Sequence, residues 1–380
     1  MISNSRIFNW HSRSYAATLN RLFRIKFGYL HAASLGHLAL ESDIAYIQTK
    51  SSKTYTFWIT TEKIANAELL KLIAQRMRII QNPFLRKILM PIVKATRGTV
   101  FDGNARVDDI SSNIQDSAEI SFPLNIDESD NLPNLLFSMG LNPFQKYVCL
   151  VVRDEMHSVI NVSLDSAAST AYRNSNIEDF KKAIQLFIEA GYSVIRMGRN
   201  ARICSINIPG FFDYANSELR SDLNDLVLLS NCEFVFSTLS GVDEIANLYR
   251  KPVYIVNYLP IGFFRLSRLR PLILPKGLRD TKSGAKLSMK DILDRGLWTA
   301  NSTEAYRHAN VEIVDCNADE IEMFAQQVLS DFSKTLQIDD SDTFNEVQKF
   351  FVLAARVPEN LKYKMPKISP LWLNYNQHCD

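Results

Sequence analysis

Cysteine is scarce in this sequence, and the few cysteines present form no pattern. The chain has five cysteines in 380 residues and no C-x-x-C pair. A scattered, odd set of this kind fits reduced thiols in the cytosol and argues against a disulfide framework or a cysteine-based zinc site. The histidines and acidic residues do not show metal-ligand spacing either. We therefore predict no metal site and no cofactor.

Long apolar runs are also missing. No stretch approaches the roughly 18 continuous apolar residues of a membrane-spanning helix, and the amino terminus has no apolar core of signal-peptide length. We therefore expect a cytoplasmic protein. Residues 6 to 26 mix basic and apolar side chains, which predicts either a solvated packing helix or an amphipathic helix in peripheral contact with the inner membrane.

The sequence has no excess of charge of one sign. It has 43 lysines and arginines against 41 aspartates and glutamates, for a formal net charge of +2. This balance argues against nonspecific binding of nucleic acid over the whole protein surface. The length exceeds one ordinary α/β core and favours two domains. We place them at residues 1 to 140 and 141 to 335, followed by a helix and tail at 336 to 380 that packs back onto the first domain.

Well-known catalytic signatures are absent, including G-x-S-x-G, the Walker A motif and a full G-x-G-x-x-G fingerprint. What the sequence does show is short apolar runs that alternate with helix-period segments, which is typical of parallel α/β sheets. Beyond Pro260 the sequence reads as loop until a strand at Val311 to Val314, and a late helix is expected from Thr343 to about Arg356. The predicted strands are at 26–31, 55–60, 79–80, 147–152, 192–197, 211–214, 234–236, 253–256 and 311–314.

One turn between two of these strands is a candidate anion site. Backbone N–H groups at Ser240 and Gly241, with the hydroxyls of Ser237, Thr238 and Ser240, suit a phosphate at the carboxyl edge of a parallel sheet. A tight turn that caps the following helix explains the same residue types. Glu244 could accept hydrogen bonds from ribose or sugar hydroxyls, or could simply complement the helix dipole.

Basic side chains are also predicted at other strand ends along the same edge of the sheet. Arg153 ends a buried strand, where a charge is costly without a partner. It could bind a pyrophosphate bidentately or pair with a nearby acid. Arg173 and Asn174 could assist it, or could lie in an exposed loop. Four strand ends are expected side by side along one sheet: Arg153, Gly198, Tyr214 and Ser237.

The first half offers a candidate base. His37 follows Gly36 at a predicted strand-to-helix turn, where it could act as a general base or simply bond nearby backbone. Glu41 and Asp43 are alternative bases, and both are also ordinary acids for the start of a helix.

Several of these residues lie in short blocks that resemble a known protein family. The chain from about Gly36 to Ile321 is similar, in short blocks, to bacterial surface-glycan glycosyltransferases that look like GT-B enzymes. The placement of Arg153 is also similar to the nucleotide-phosphate arginine of fucosyltransferase-like GT-B enzymes. The similar blocks are Gly36–Ala39 with Glu41, Val152–Asp154, Tyr172–Ile177, Gly191–Gly198, Asp213–Tyr214, Ser237–Gly241, Lys251–Val253, Asn257–Pro260 and Leu274–Lys276.

This resemblance implies two Rossmann-like domains with parallel sheets that face each other across a cleft. The second domain would bind a nucleotide sugar, and the first a glycan or lipid-linked acceptor. The implied activity is metal-independent glycosyl transfer in the synthesis of lipopolysaccharide, capsule or a similar polysaccharide. The alternatives are a nucleotide-sugar epimerase or hydrolase on the same fold, and a catalytically silent binding component of a glycan-assembly complex.

Overall fold

The chain is described here as a computed structural model. It covers residues 2–100, 102–105, 114–116, 118–125, 131–156, 168–265, 267, 269, 271–333 and 365–373. The helix predicted from Thr343 to about Arg356 lies outside these residues. Within them, no helix has the length and apolar character needed to cross a bilayer.

The first half is built on a small sheet of parallel strands in the order β1-β2-β3. Helices connect these strands, as parallel pairing requires. The strands are β1 (Ile25–Leu30), β2 (Tyr55–Thr60) and β3 (Arg78–Ile80). The helices are α1 (Ile2–Phe23), α2 (Leu35–Thr49), α3 (Ala67–Arg76) and α4 (Pro83–Thr96).

The second half is built on a larger sheet in the order β12-β9-β8-β7-β4-β5-β6, in which each described pair is parallel. Beside it, β10 (Gly277–Asp280) and β11 (Val311–Val314) form an antiparallel pair. The strands of the larger sheet are β4 (Tyr147–Val151), β5 (Ser193–Met197), β6 (Phe211–Asp213), β7 (Val235–Ser237), β8 (Val253–Tyr258), β9 (Leu272–Pro275) and β12 (Lys367–Ile368).

Helices of the second half begin at side-chain caps in several places, such as Ser221, whose hydroxyl accepts from the backbone N–H of Asn224 at 3.0 Å. Such caps satisfy N–H groups that have no partner within the helix. The helices are α5 (Leu132–Ser138), α6 (Lys181–Glu189), α7 (Asp222–Asn231), α8 (Asp243–Leu248), α9 (Met289–Asp294), α10 (Thr303–His308), α11 (Ala318–Phe332) and α12 (Pro370–Leu373).

The core of the second half lies between the central strands and the helices α6 and α11. All residues of β4, β5, β7 and β8 are buried, which explains why β4 reads as a continuous apolar run and why apolar residues dominate the others. Phe187 on α6 packs edge-to-face against Phe234 and Phe236, with ring centroids 5.6 and 5.3 Å apart. This rigid sheet fixes the positions of its strand ends.

The predicted fold class is confirmed: both halves are α/β with parallel sheets, and a cleft lies between them. Two expectations differ from the structure. The region after Pro260 holds β9, β10, α9 and α10, because proline and glycine there border short strands instead of preventing them. The tail at 365–373 joins the larger sheet through β12, and the indole N–H of Trp372 donates to the carbonyl of Lys276 at 3.3 Å. Its described part therefore packs on the second half.

The two halves touch at the starts of α2 and α8. A Cβ atom added to Gly36 would lie only 2.9 Å from the Cα of Gly241, so the two backbones meet at a point that excludes side chains. A second link joins α3 and α7, where the Asp222 carboxylate accepts from the N–H of Ala67 at 2.8 Å. These contacts hold the cleft together at its base.

Candidate functional site

A cleft of ≈ 1030 Å³ lies between the two halves. We call its two sides the amino-terminal wall and the carboxy-terminal wall. Both walls are formed where parallel strands end and helices begin, which is the usual ligand position in such sheets. The amino-terminal wall includes Gly36, His37, Glu41 and Lys63. The carboxy-terminal wall includes Arg153, Arg173, Gly198, Ser240, Gly241 and Glu244.

Strand order explains why distant residues share the carboxy-terminal wall. Strands β6, β5, β4 and β7 are neighbours in the larger sheet, so their carboxyl ends lie side by side, as predicted. Arg153 follows β4, and Gly198 follows β5 with a φ of +149°. That φ favours glycine, and it turns the chain at the rim of the cleft.

Arg153 is buried, with 8% of its surface exposed, and it lines the cleft. Its guanidinium donates to the Thr170 hydroxyl at 3.0 Å and to the Asn174 side-chain oxygen at 3.4 Å. Burial and the nearby charge of Arg173 lower the pKa of Arg153 to about 10. The surroundings therefore destabilise the positive charge of Arg153, and a bound anion would stabilise it.

The nearest acid in sequence to Arg153 is engaged elsewhere. Asp154 accepts from Arg196 at 3.3 Å and from the N–H of Arg202 at 2.7 Å. Arg196 is fully buried and also pairs with Asp213 at 3.1 Å. This network therefore engages Asp154, one of the nearby acids that could have paired with Arg153.

Arg173 lies beside Arg153 on a 3₁₀ turn, Ala171–Arg173. One of its terminal nitrogens donates to the carbonyl of Leu239 at 2.8 Å. Its Nε atom is buried and has no hydrogen-bond partner in the described residues. A buried donor without a partner costs free energy, so this atom is suited to an oxygen of a ligand in the cleft.

Asn174 lies next to these arginines but lines a neighbouring cavity of ≈ 620 Å³. Its carbonyl accepts from the buried Lys276 ammonium at 2.6 Å, and that ammonium also pairs with Asp315 at 2.7 Å. Burial lowers the pKa of Lys276. Asn174 therefore contacts Arg153 from behind and does not face the cleft itself.

The turn that follows β7 is held by its own side chains. The Ser237 hydroxyl and the N–H of Ser240 both donate to the buried Asp243 carboxylate, at 2.7 and 2.9 Å. The Thr238 hydroxyl accepts from the N–H of Arg153 at 2.9 Å. Ser237 and Thr238 are thus buried outside the cleft lining, and the Ser240 N–H expected to meet phosphate is already bonded to Asp243.

Gly241 does line the cleft, but its lack of a side chain serves the contact with Gly36. Glu244, one turn further on, pairs with Arg265 at 2.6 Å and accepts from the Asn247 amide at 3.2 Å. Both partners of the Glu244–Arg265 pair line the cleft. This pair offers a carboxylate and a guanidinium to the hydroxyls of a ligand.

On the opposite wall, His37 and Glu41 form a dyad one helical turn apart. The Nδ1 atom of His37 lies 2.8 Å from the Glu41 carboxylate, which also accepts from the N–H of His31 at 3.1 Å. The hydrogen bond to Glu41 raises the pKa of His37, although burial and Arg265 oppose this. The side chain of His37 is 59% exposed, so a substrate can reach it.

Asp43 has a different position. It is fully buried, lies outside the cleft lining and accepts two hydrogen bonds from Arg250, at 2.7 and 3.2 Å. Gln115, at 2.6 Å, and Ser121 also donate to it. Asp43 therefore ties the two halves together and cannot reach a substrate, in contrast to its predicted role as an alternative base.

Some residues of this site were missed by sequence reasoning. Arg265 pairs with Glu244 from another segment, and Phe263 lies in a stretch that reads as loop. The only signal for Arg265 was its place in a basic, proline-bearing stretch. In the described ranges, no group of three or more histidine, cysteine or acidic side chains could hold a metal ion.

No protein-family model matches this chain, and no curated protein matches it. Among solved structures, it is similar to the E. coli ADP-heptose LPS heptosyltransferase II, at 11% identity and a TM-score of 0.38, over 60% of this chain and 84% of that one. It is also similar to a family 9 glycosyl transferase from Veillonella parvula, at 9% identity and a TM-score of 0.40, over 61% and 80% of the two chains.

A further similar structure is the iron-containing dodecameric glycosyltransferase TibC from enterotoxigenic E. coli, at 13% identity and a TM-score of 0.40. That match covers 82% of this chain and 77% of the other. At these identities and TM-scores, the likeness says nothing about the chemistry of this chain. The likeness of Arg153 to the nucleotide-phosphate arginine of fucosyltransferase-like enzymes stays a prediction.

Proposed function

We propose that this chain is a glycosyltransferase of the GT-B type that moves a sugar from a nucleotide-sugar donor to a glycan acceptor of the bacterial surface. One observation carries the proposal: two adjacent arginines line one wall of the cleft, and a His–Glu dyad lines the other. The first wall suits the diphosphate of the donor, and the second suits the acceptor hydroxyl. No cofactor is needed, because the donor itself supplies the activated sugar.

The diphosphate is placed against Arg153 and Arg173. Both side chains are positioned by hydrogen bonds to neutral oxygens, of Thr170 and of Leu239. Preorganised cations of this kind stabilise charge that develops on a leaving group without having to reorganise. The Arg173 Nε atom supplies a further donor that has no hydrogen-bond partner in the described residues.

The proton of the acceptor hydroxyl is assigned to His37. Glu41 accepts from Nδ1, so the neutral imidazole presents its lone pair at Nε2. The hydroxyl gives its proton to Nε2, and its oxygen bonds to the anomeric carbon. The bond from that carbon to the diphosphate oxygen breaks, and the electron pair leaves with the nucleotide. The new negative charge forms beside Arg153 and Arg173.

The assay that tests the proposal is nucleotide release from a panel of nucleotide sugars, with and without a lipid-linked or polysaccharide acceptor. Arg153→Ala is expected to lower the rate by roughly 100- to 1000-fold, as for the loss of one preorganised donor. Arg279→Ala is the matched control, because Arg279 forms an exposed pair with Glu312 at 3.2 Å, away from the cleft. Equal rates for the two variants would exclude the assigned donor site.

The same panel separates the alternative functions. Acceptor-independent change of the sugar would indicate an epimerase or hydrolase, and tight binding without release would indicate a silent binding component. Metal independence, the cytoplasmic location and peripheral contact with the inner membrane remain predictions. Added EDTA tests metal independence, and sedimentation with anionic vesicles tests the membrane contact.

A further inference from the structure

The loop between β8 and β9 contributes an aromatic residue to the lining of this cleft. Phe263 lines the cleft and keeps 48% of its surface exposed. A single exposed phenylalanine on an outer surface is common and needs no explanation. Phe263 differs because it lines a concave site, which Arg265, Glu244 and His37 also line.

The backbone that carries Phe263 is fixed on several sides. Its N–H donates to the carbonyl of Pro260 at 3.1 Å, and its carbonyl accepts from the Tyr258 hydroxyl. The preceding N–H, of Gly262, donates to the carbonyl of Trp298 at 2.8 Å. A Cβ atom on Gly262 would lie 2.3 Å from the Trp298 indole nitrogen, so only glycine fits there. The exposed ring therefore stands on a rigid support.

The charged residues of the cleft indicate the class of ligand that Phe263 would contact. Arg265 and Glu244 both act on the pKa of His37, Arg265 lowering it and Glu244 raising it. Phe263 is two residues from Arg265 in the chain, and it lines the same cleft as the candidate base. A sugar ring has an apolar C–H face and a rim of hydroxyls. An aromatic face beside an ion pair fits both of these features.

We propose that Phe263 is a stacking platform for a sugar ring at the reacting centre, with the Glu244–Arg265 pair bonding the hydroxyls of that sugar. The inference rests on the proposed function and extends it to a residue that selects and orients sugars. The stacked ring belongs either to the donor or to the acceptor. Stacking would hold the sugar in a fixed orientation. This would raise the reaction rate, because a reaction between two bound molecules depends on their alignment.

The test compares Phe263→Ala with Phe263→Trp and with Phe144→Ala. Phe144 is a matched control, since it is 92% exposed and does not line the cleft. Steady-state kinetics give KM for donor and acceptor separately, and calorimetry gives the affinity for a nucleotide sugar and for its free nucleoside diphosphate. Thermal melting of each variant checks that folding is retained.

We expect Phe263→Ala to weaken recognition of one sugar by about 10-fold, the size of a good aromatic contact, and Phe263→Trp to restore most of it. Weaker binding of the nucleotide sugar, with unchanged binding of the free nucleotide, assigns the ring to the donor. A raised KM for the acceptor alone assigns it to the acceptor. Normal behaviour of Phe263→Ala beside an active wild type overturns the inference alone. A wild type that neither binds nor turns over any nucleotide sugar overturns the proposed function and this inference with it.

Discussion

The two walls of the cleft shift the pKa values of their basic side chains in opposite directions. On the carboxy-terminal wall, burial and a second arginine lower the pKa of Arg153 to about 10. On the amino-terminal wall, the hydrogen bond to Glu41 raises the pKa of His37. One cation is thus disfavoured by its surroundings, and the other is stabilised by a carboxylate.

This difference matches two chemical tasks. An anion stabilises most strongly a cation that its surroundings destabilise. The Arg153 wall therefore suits a diphosphate whose charge grows during the reaction. A histidine held by a carboxylate has a defined tautomer and a raised pKa, so the His37 wall suits transfer of a proton. Substitutions on and between the two walls can break this contrast or sharpen it.

The largest effect is expected where a third arginine joins the two halves. Arg250→Met leaves the Asp43 carboxylate buried without its cation, and we expect a loss of about 3–5 kcal/mol in the free energy of unfolding. Urea denaturation measures it. Arg279→Met, which breaks an exposed pair, should cost only about 0–1 kcal/mol. The double change Asp43→Leu and Arg250→Met should regain part of the loss, because no unpaired charge remains.

His37→Ala should next separate catalysis from donor binding. General bases contribute roughly 100- to 10,000-fold, so kcat should fall at least 100-fold while the affinity for the donor changes little. His308→Ala, at an exposed position near the end of α10, is the control. A drop in donor affinity equal to the drop in kcat would contradict the division of labour between the walls.

Gly36→Ala tests whether the walls must touch. The new methyl group would lie 2.9 Å from the Cα of Gly241, so one helix has to shift. Overpacking of this kind costs about 1–3 kcal/mol, and the better helix propensity of alanine offsets up to about 1 kcal/mol of it. Gly277→Ala, where the nearest atom is at 3.4 Å, should be milder. Chemical denaturation of both variants, with KM for both substrates, gives the comparison.

Glu41→Gln should produce the smallest change, a shift in the pH dependence of the reaction. A base acts in its neutral form, so the rate rises with pH through the raised pKa of His37. Loss of the carboxylate lowers that pKa, and the acidic limb of kcat/KM should move to lower pH. An unmoved limb would show that Glu41 does not control the protonation of His37.

Much of this architecture follows from the sequence, because strands buried on both faces read as unbroken apolar runs. The strands Tyr55–Thr60 and Val311–Val314 have the predicted bounds. Given parallel strands, the grouping of Arg153, Gly198 and Ser237 at one sheet edge was also predictable.

Other features depend on partners that are distant in sequence. Glu41 and Asp43 are two residues apart in the middle of α2, and nothing local shows that one reaches the cleft and the other meets Arg250. Gly241 reads as part of a phosphate-facing turn, because its contact with Gly36 is visible only in three dimensions. Strand β9 was missed because prolines border it and its pairing with β8 is not local.

The Asp43–Arg250 pair also bears on how the chain is made. The two partners are 207 residues apart, and at ribosomal rates that distance corresponds to roughly 10–40 s of synthesis. During this interval the first half already carries the carboxylate, but the matching guanidinium does not yet exist. The first half therefore cannot reach its final stability on the ribosome until the chain has passed residue 250. Production of residues 1 to 140 alone should yield a fragment less stable than the same residues in the complete chain.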